Sequence, residues 1–179
     1  PYANWGAGMW PSIMAWNASL LDTTGTTIFP ACIGSDKEMQ YLERKEYGSN
    51  SLANFNAGFN FADRFYFGFN IGVYFVGNTV KETYSEYDYA PAPASQLKNM
   101  EQYDHQETDG NVIDLTIGAI YTAQNFRIGA TISTPTWFDL TDTYCWDMTS
   151  NFTDGDRIQL FSPMGSFDYE LTTPFKYSL

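Results

Sequence analysis

With 21 Asp and Glu against 9 Lys and Arg over 179 residues, the chain carries a net charge of −12 and no basic cluster, which excludes nucleic-acid binding. Aromatic residues reach 18% while charged residues fall to 17%, below the roughly 25% usual in soluble domains. That balance suits a membrane β-barrel or a carbohydrate-binding β protein, and no apolar run approaches the roughly 18 residues of a membrane helix.

The first 49 residues differ from the rest. Pro11 sits where a helix can begin, and Ile13, Met14, Trp16, Leu20 and Leu21 follow at mixed three- and four-residue spacing, which predicts a short amphipathic helix. Thr23 to Ser35 is rich in Thr, Gly and Pro and reads as loop. Asp36 to Glu46 is charged, and its pattern fits either a helix or an extended rim segment. The start at Pro1, without Met or a basic-then-apolar leader, reads as a mature or trimmed form.

Residues 50–179 alternate. Strand one is Ser51–Ala62, with Ala53, Phe55, Ala57, Phe59 and Phe61 on one face and Asn54, Asn56, Gly58 and Asn60 on the other. A turn at Asp63-Arg64 leads to strand two, Phe65 to Gly77 and on to about Tyr87. There Phe65, Phe67, Phe69, Ile71, Val73 and Phe75 oppose Tyr66, Gly68, Asn70, Gly72, Tyr74 and Val76. Beyond Gly77 the apolar face becomes Thr79, Lys81 and Thr83, where the strand leaves apolar surroundings. Strand three is Val112–Thr122. Strand four starts at Phe126 after a turn near Ala123-Gln124-Asn125 and runs through Thr134 toward Tyr144. Strand five is Phe167–Leu179.

Period-2 alternation of this length is a strand signal. A row of Phe, Ile and Val opposite Gly, Asn and Tyr is the pattern of a lipid-facing strand with a wet interior. The short turns fall at one end of these strands, and long loops are expected at the other, over 85–110 and 145–166. Outer-membrane barrels show this asymmetry. Most acids of the long loops (Asp88, Glu101, Asp104, Glu107, Asp109, Asp147, Asp154 and Asp156) then lie on the outer side. The fold class expected is therefore all-β, an antiparallel up-and-down transmembrane β-barrel. Its two regions are an extracellular loop and short-helix segment over 1–49 and barrel strands over 50–179. About five strands are fewer than the 8 of the smallest bacterial barrels, which suggests part of a larger one.

The run Asn50-Ser51-Leu52-Ala53-Asn54-Phe55-Asn56-Ala57-Gly58-Phe59-Asn60-Phe61-Ala62-Asp63-Arg64-Phe65-Tyr66-Phe67-Gly68 resembles the strand–turn–strand of FadL/TodX-type outer membrane transport proteins. So do Phe126-Arg127-Ile128-Gly129-Ala130-Thr131-Ile132-Ser133-Thr134-Pro135-Thr136-Trp137 and Tyr169-Glu170-Leu171-Thr172-Thr173-Pro174-Phe175-Lys176. The resemblance covers roughly residues 50–178. It implies a 14-stranded barrel in the outer membrane of a Gram-negative bacterium, plugged by an N-terminal hatch. It also implies passive uptake of hydrophobic compounds such as long-chain fatty acids or aromatic hydrocarbons, which leave sideways through the wall. The hatch with its Asn-Pro-Ala signature and the closing strands have no counterpart in these residues. Membrane lipid and a hydrophobic small molecule are the partners implied, with lipopolysaccharide a further candidate. The rival class is a secreted, aromatic-rich β-sandwich that binds glycans or a surface partner and buries its Phe rows between sheets.

Candidate ligand contacts are Trp5, Trp10, Met14 and Trp16, with Met9 beside them, because flat indoles and flexible thioethers suit acyl chains of varied shape. The same residues would equally form a small packing core or an interfacial anchor. Trp137 joins them: it follows Pro135, and a proline within a strand marks an edge, a bulge or a break. That site reads as an opening in the wall or as part of an aromatic girdle. Asn54, Asn56, Asn60, Asn70, Asp114, Arg127, Glu170 and Lys176 fall on the inward face by parity, as channel lining or structural hydrogen-bonding groups. Cys32 and Cys145 would pair if both lie on an oxidising side, and their spacing supports no zinc site. His105, the single histidine, has no second ligand at useful spacing. No motif for catalysis, metal or cofactor is present, so no enzyme activity is expected.

Overall fold

The computed structural model of the chain describes residues 7–31, 38–87 and 96–179. Their architecture is all-β and antiparallel with one short helix. A 3-10 turn at Ala7–Met9 leads into α1 (Trp10–Asn17), and a hairpin follows, β1 (Leu21–Thr24) with β2 (Thr27–Pro30). Eight strands form the main sheet: β3 (Met39–Phe61), β4 (Phe65–Tyr87), β5 (Leu97–Thr122), β6 (Arg127–Ser133), β7 (Trp137–Phe152), β8 (Arg157–Phe161), β9 (Gly165–Thr172) and β10 (Lys176–Ser178). β3 occupies one edge; β8, β9 and β10 occupy the other, paired to β7, β7 and β6 in turn. The edges do not pair with each other, so the described residues form an open sheet and no closed barrel.

The helix begins where Pro11 permits, since proline at the first turn costs no hydrogen bond. It ends on Ser19, whose φ of 57° is left-handed. The Ser19 amide donates to the Trp16 carbonyl at 3.2 Å and the Leu20 amide to the Ala15 carbonyl at 2.9 Å, the pair of bonds that closes a Schellman terminus.

The strands run further than the alternation suggested. β3 starts at Met39, so the undecided charged segment is extended from there, and a division at residue 49 cuts through a strand. β5 occupies Leu97–Gly110 and β7 with β8 occupies most of 145–161, where long loops were expected. Leu97–Gly110 carries polar residues on both faces, so the apolar period is lost there while the backbone ladder continues. On β7 the period does persist, with Trp146, Met148 and Phe152 on one face. The expected loop from Thr23 likewise contains the β1/β2 hairpin, held by an ordinary antiparallel register from Leu21–Pro30 to Thr24–Thr27.

Two compact units divide the chain. The first comprises Pro1–Tyr47, Thr79–Glu107 and Thr143–Ser166; the second Gly48–Asn78, Thr108–Asp142 and Phe167–Leu179. On β4 the division falls between Asn78 and Thr79, where the sequence pattern loses its apolar face. In the first unit Met14, Ala18 and Leu20 are buried against Leu97, Met100 and Met148, with Tyr84, Trp146, Phe152 and Leu160 around them. The second unit buries only Val112 and Leu140 among its described apolar side chains, and exposes Phe55, Phe59, Phe67, Phe69, Ile117, Ile128 and Ile132, among others.

Within the second unit β3 and β4 are joined by a tight turn. Ala62 and Asp63 both have φ of 53°, as a type I′ turn requires, and the Arg64 amide donates to the Phe61 carbonyl. The turn is therefore centred one residue earlier than expected.

Strands four and five are each interrupted by a Thr-Pro pair. β6 and β7 are separated by Thr134–Pro135–Thr136, β9 and β10 by Thr173–Pro174–Phe175. Lys176 pairs with Ser133, and the Thr173 amide donates to the Thr136 carbonyl, so the two interruptions lie opposite one another. Threonine hydroxyls replace missing ladder groups: Thr134 Oγ1 accepts from the Leu115 amide at 3.1 Å, and Thr173 Oγ1 from the Thr136 amide at 2.9 Å.

Each interruption also exchanges the faces. Thr116 bonds Ser133 through side chains at 2.8 Å, so odd residues of β6 share the face of even residues of β5. Further along, Thr108 donates to Asp142, so even residues of β7 hold that same face. Tyr169 donates to Asp142 at 3.3 Å, which places odd residues of β9 there too, whereas β10 contributes Lys176 opposite Ser133. This overturns the parity assignment of Glu170: it takes the face opposite Asp142, because the bulge at Pro174 shifts the alternation by one residue. Tyr169 and Leu171, by the same alternation, take the Asp142 face.

Candidate ligand-binding surfaces

Trp5 and Cys32 lie outside the described residues. In the first unit Trp10 opens α1 and is half-buried, and Trp16 is 47% exposed. Met14 is 3% exposed and packs in the core. The spacing explains the split. On one helical turn after another, Met14 and Ala18 face the sheet, while Met9, Ile13 and Trp16 face away. Met9, Ile13 and Trp16 meet Leu21 and Ile28 of the hairpin around a recess of about 270 Å³, with Ser12 and Asn17 as its polar lining. The hairpin contribution was not visible in sequence, because Thr23 onward gave no strand period.

Trp137 belongs to the second unit. It opens β7 directly after the Thr-Pro interruption and is 49% exposed. The structure thus assigns it to a separate surface from the helix-borne aromatics, among exposed side chains of the Phe and Ile face.

The opposite face of the second unit holds a groove of about 620 Å³. Gly58, Gly68, Gly118 and Gly129 contribute its floor, and Asn56, Asn70, Tyr66, Thr116 and Thr131 its polar groups. Asn56 and Asn70 are therefore where parity put them. Asn60, of the same parity on the unbroken β3, donates to Asp63 of the β3/β4 turn at 2.7 Å, a structural hydrogen bond. Asp114 is held by the Tyr74 hydroxyl at 2.9 Å through Oδ2, while its Oδ1 is buried without a partner. Gly72 makes room for it: a Cβ there would lie 2.7 Å from Oδ1.

A different kind of pocket lies in the first unit. Arg44, Glu82, Asp104, Gln106, Tyr144 and Trp146 line about 290 Å³. Arg44 reaches Glu82 and Glu46 at 3.6 Å each. Gln102 donates to both oxygens of Asp104, at 3.0 and 3.3 Å. Burial, reinforced by the Glu82 charge, pushes the Asp104 carboxyl above its ordinary value, and the Gln102 bond partly offsets this. Nearby, burial and a bond to Glu86 push the Tyr84 hydroxyl up to about 12, so it remains a donor at neutral pH. Cys145, on β7, has its thiol raised by burial and by the neighbouring Asp147. Sequence reasoning passed over this pocket, having placed Asp104 and His105 in a solvated loop. The alternation Tyr144-x-Trp146 was the available signal.

Among the described residues no group of three or more His, Cys, Asp or Glu side chains is arranged to hold a metal ion. The chain matches no protein-family model and no curated protein sequence.

Proposed function

We propose that this chain is part of the wall of an outer-membrane β-barrel that admits hydrophobic compounds such as fatty acids or aromatic hydrocarbons. The observation that carries the reading is the inverted second unit. Its large apolar side chains are exposed along one face, with Phe67 at 50% and Ile117 at 55%, while Gly, Asn and Thr line the other. In water such a face is a large unmet hydrophobic cost, and in hydrocarbon it is the expected arrangement. The strands are long enough, since about 9–11 tilted residues span a bilayer. The recess around Ile13, Trp16 and Ile28 would collect the ligand, and the small-residue groove would pass it on. No described helix is long and apolar enough to cross a membrane, which leaves strands as the spanning elements of this reading.

The β-sandwich alternative needs a second sheet over the Phe row. Among the described residues the only other sheet is the β1/β2 hairpin, which belongs to the first unit. The test is fractionation followed by uptake. The protein should remain in the membrane pellet after salt and carbonate washes, and cells carrying it should accumulate labelled laurate or toluene faster than cells without it. A monodisperse protein in detergent-free buffer sinks the membrane reading; membrane residence without faster uptake sinks the transport reading.

A further inference from the structure

We infer that the pocket of the first unit is a subsite for a single neutral sugar ring, presented either free or as the headgroup of a glycolipid. It is distinct from the apolar recess and the groove invoked above. Tyr144 and Trp146 stand on the same face of β7 with ring centroids 5.0 Å apart and planes inclined at 53°, forming an angled aromatic wall. Gly165 on the neighbouring strand sets the position of the first ring. A Cβ at residue 165 would overlap the Tyr144 ring, so any side chain there displaces it.

The same pocket is lined by planar hydrogen-bonding groups of both kinds, on Arg44, Glu82, Asp104, His105 and Gln106. Arg44 offers only donors, Glu82 and Asp104 accept when ionised, and Gln106 does both. A polyol needs this mixture, because each hydroxyl is simultaneously donor and acceptor, and a ring's C–H face needs an apolar platform. The volume, about 290 Å³, suits one ring rather than a chain.

The rival ligands fit less well. A fatty-acid carboxylate would meet Glu82 and Asp104. An ammonium ion would be drawn to the rings and the acids, but Arg44 already stands 3.6 Å from Glu82 as the resident cation. A sugar leaves that pair in place and bonds to its free edges.

The experiment is a fluorescence and calorimetric titration of the purified chain in a zwitterionic, sugar-free detergent. The probes are methyl glucoside, octyl glucoside below its micelle concentration, tetramethylammonium and laurate. The expected result is saturable, millimolar binding of both glucosides. Gly165→Ala, Tyr144→Leu and Glu82→Gln should each weaken it about tenfold, while thermal melts verify that each variant is folded. Equal affinity for the two glucosides assigns recognition to the ring alone; tighter octyl glucoside binding that the variants still weaken assigns it to a lipid-borne headgroup. The inference is overturned if neither glucoside binds, if tetramethylammonium or laurate binds at this pocket in their stead, or if folded variants bind glucoside unchanged.

Discussion

The two units solve the same problem in opposite directions. The first hides Met14, Ala18, Leu20, Met100 and Met148 between a helix and strands, as a water-soluble domain does. The second turns Phe55, Phe59, Phe67 and Ile117 outward and keeps glycine, asparagine and threonine on its other face. Strands β3, β4, β5, β7 and β9 contribute residues to both, so one strand can carry both patterns. What changes at Tyr47/Gly48 or Asn78/Thr79 is the side-chain pattern, while the backbone ladder stays the same.

Substitutions that act in one unit only sharpen this contrast. Met148 is 2% exposed, and Met148→Ala should cost the first unit about 2–5 kcal/mol through lost burial and a residual cavity. Hydrogen exchange should show α1 and β8 opening together, with amides of β6 unaffected; uniform loss across both units would erase the distinction. Phe67→Arg should cost about 2–4 kcal/mol for folding into a bilayer if its face meets lipid. The control is Asn70→Arg, on the other face of the same strand, which should be tolerated. Refolding yields in lipid vesicles compare the two, and equal effects would remove the basis for a lipid-facing side.

A smaller effect is expected at the helix terminus. Ser19 holds a left-handed φ of 57°, and Ser19→Gly should stabilise the first unit by up to about 1 kcal/mol, read from its melting temperature. Smallest is a pH effect. Burial raises the Asp104 carboxyl, so its favourable contribution to folding is complete below the ordinary carboxylate value and is lost as pH rises through the raised one. Asp104→Asn should therefore flatten the pH dependence of melting above the ordinary carboxylate value and raise the melting temperature at the upper end of that dependence. A steeper dependence in the variant would reverse the sign assigned to Asp104.

The legible parts of the molecule were those where one face differs sharply from the other. Phe65 to Phe75 against Tyr66 to Tyr74 declared β4, and Pro11 with Ile13 and Met14 declared α1. Met39–Tyr47 and Leu97–Glu107 were illegible because they are polar on both sides and held by ladder bonds that leave no mark on composition, whereas Thr143–Phe152 does alternate, with Tyr144, Trp146, Met148 and Phe152 on one face, and was passed over. Glu170 was misplaced for a different reason. Parity counting assumes an unbroken strand, and Thr173-Pro174 inserts a residue that the count cannot anticipate. The site residues divided similarly. Trp16 was a candidate from its chemistry and lines the recess, but Ile28 and the Tyr144–Trp146 wall needed the pairing of distant segments.

The two edges of the sheet carry a final consequence, in the arithmetic of direction. β3 runs toward the turn at Ala62-Asp63; β4 returns, β5 descends beside it, β6 with β7 returns, and β8 through β10 descends again. The edge strands therefore point the same way. Placing them side by side would create a parallel pair, so any all-antiparallel ring that includes this sheet must interpose an odd number of strands between them. With five strand lines here, such a ring has an even total, and a second copy turned about the same axis, although it supplies an odd number of lines, would meet this one in parallel pairs at both junctions.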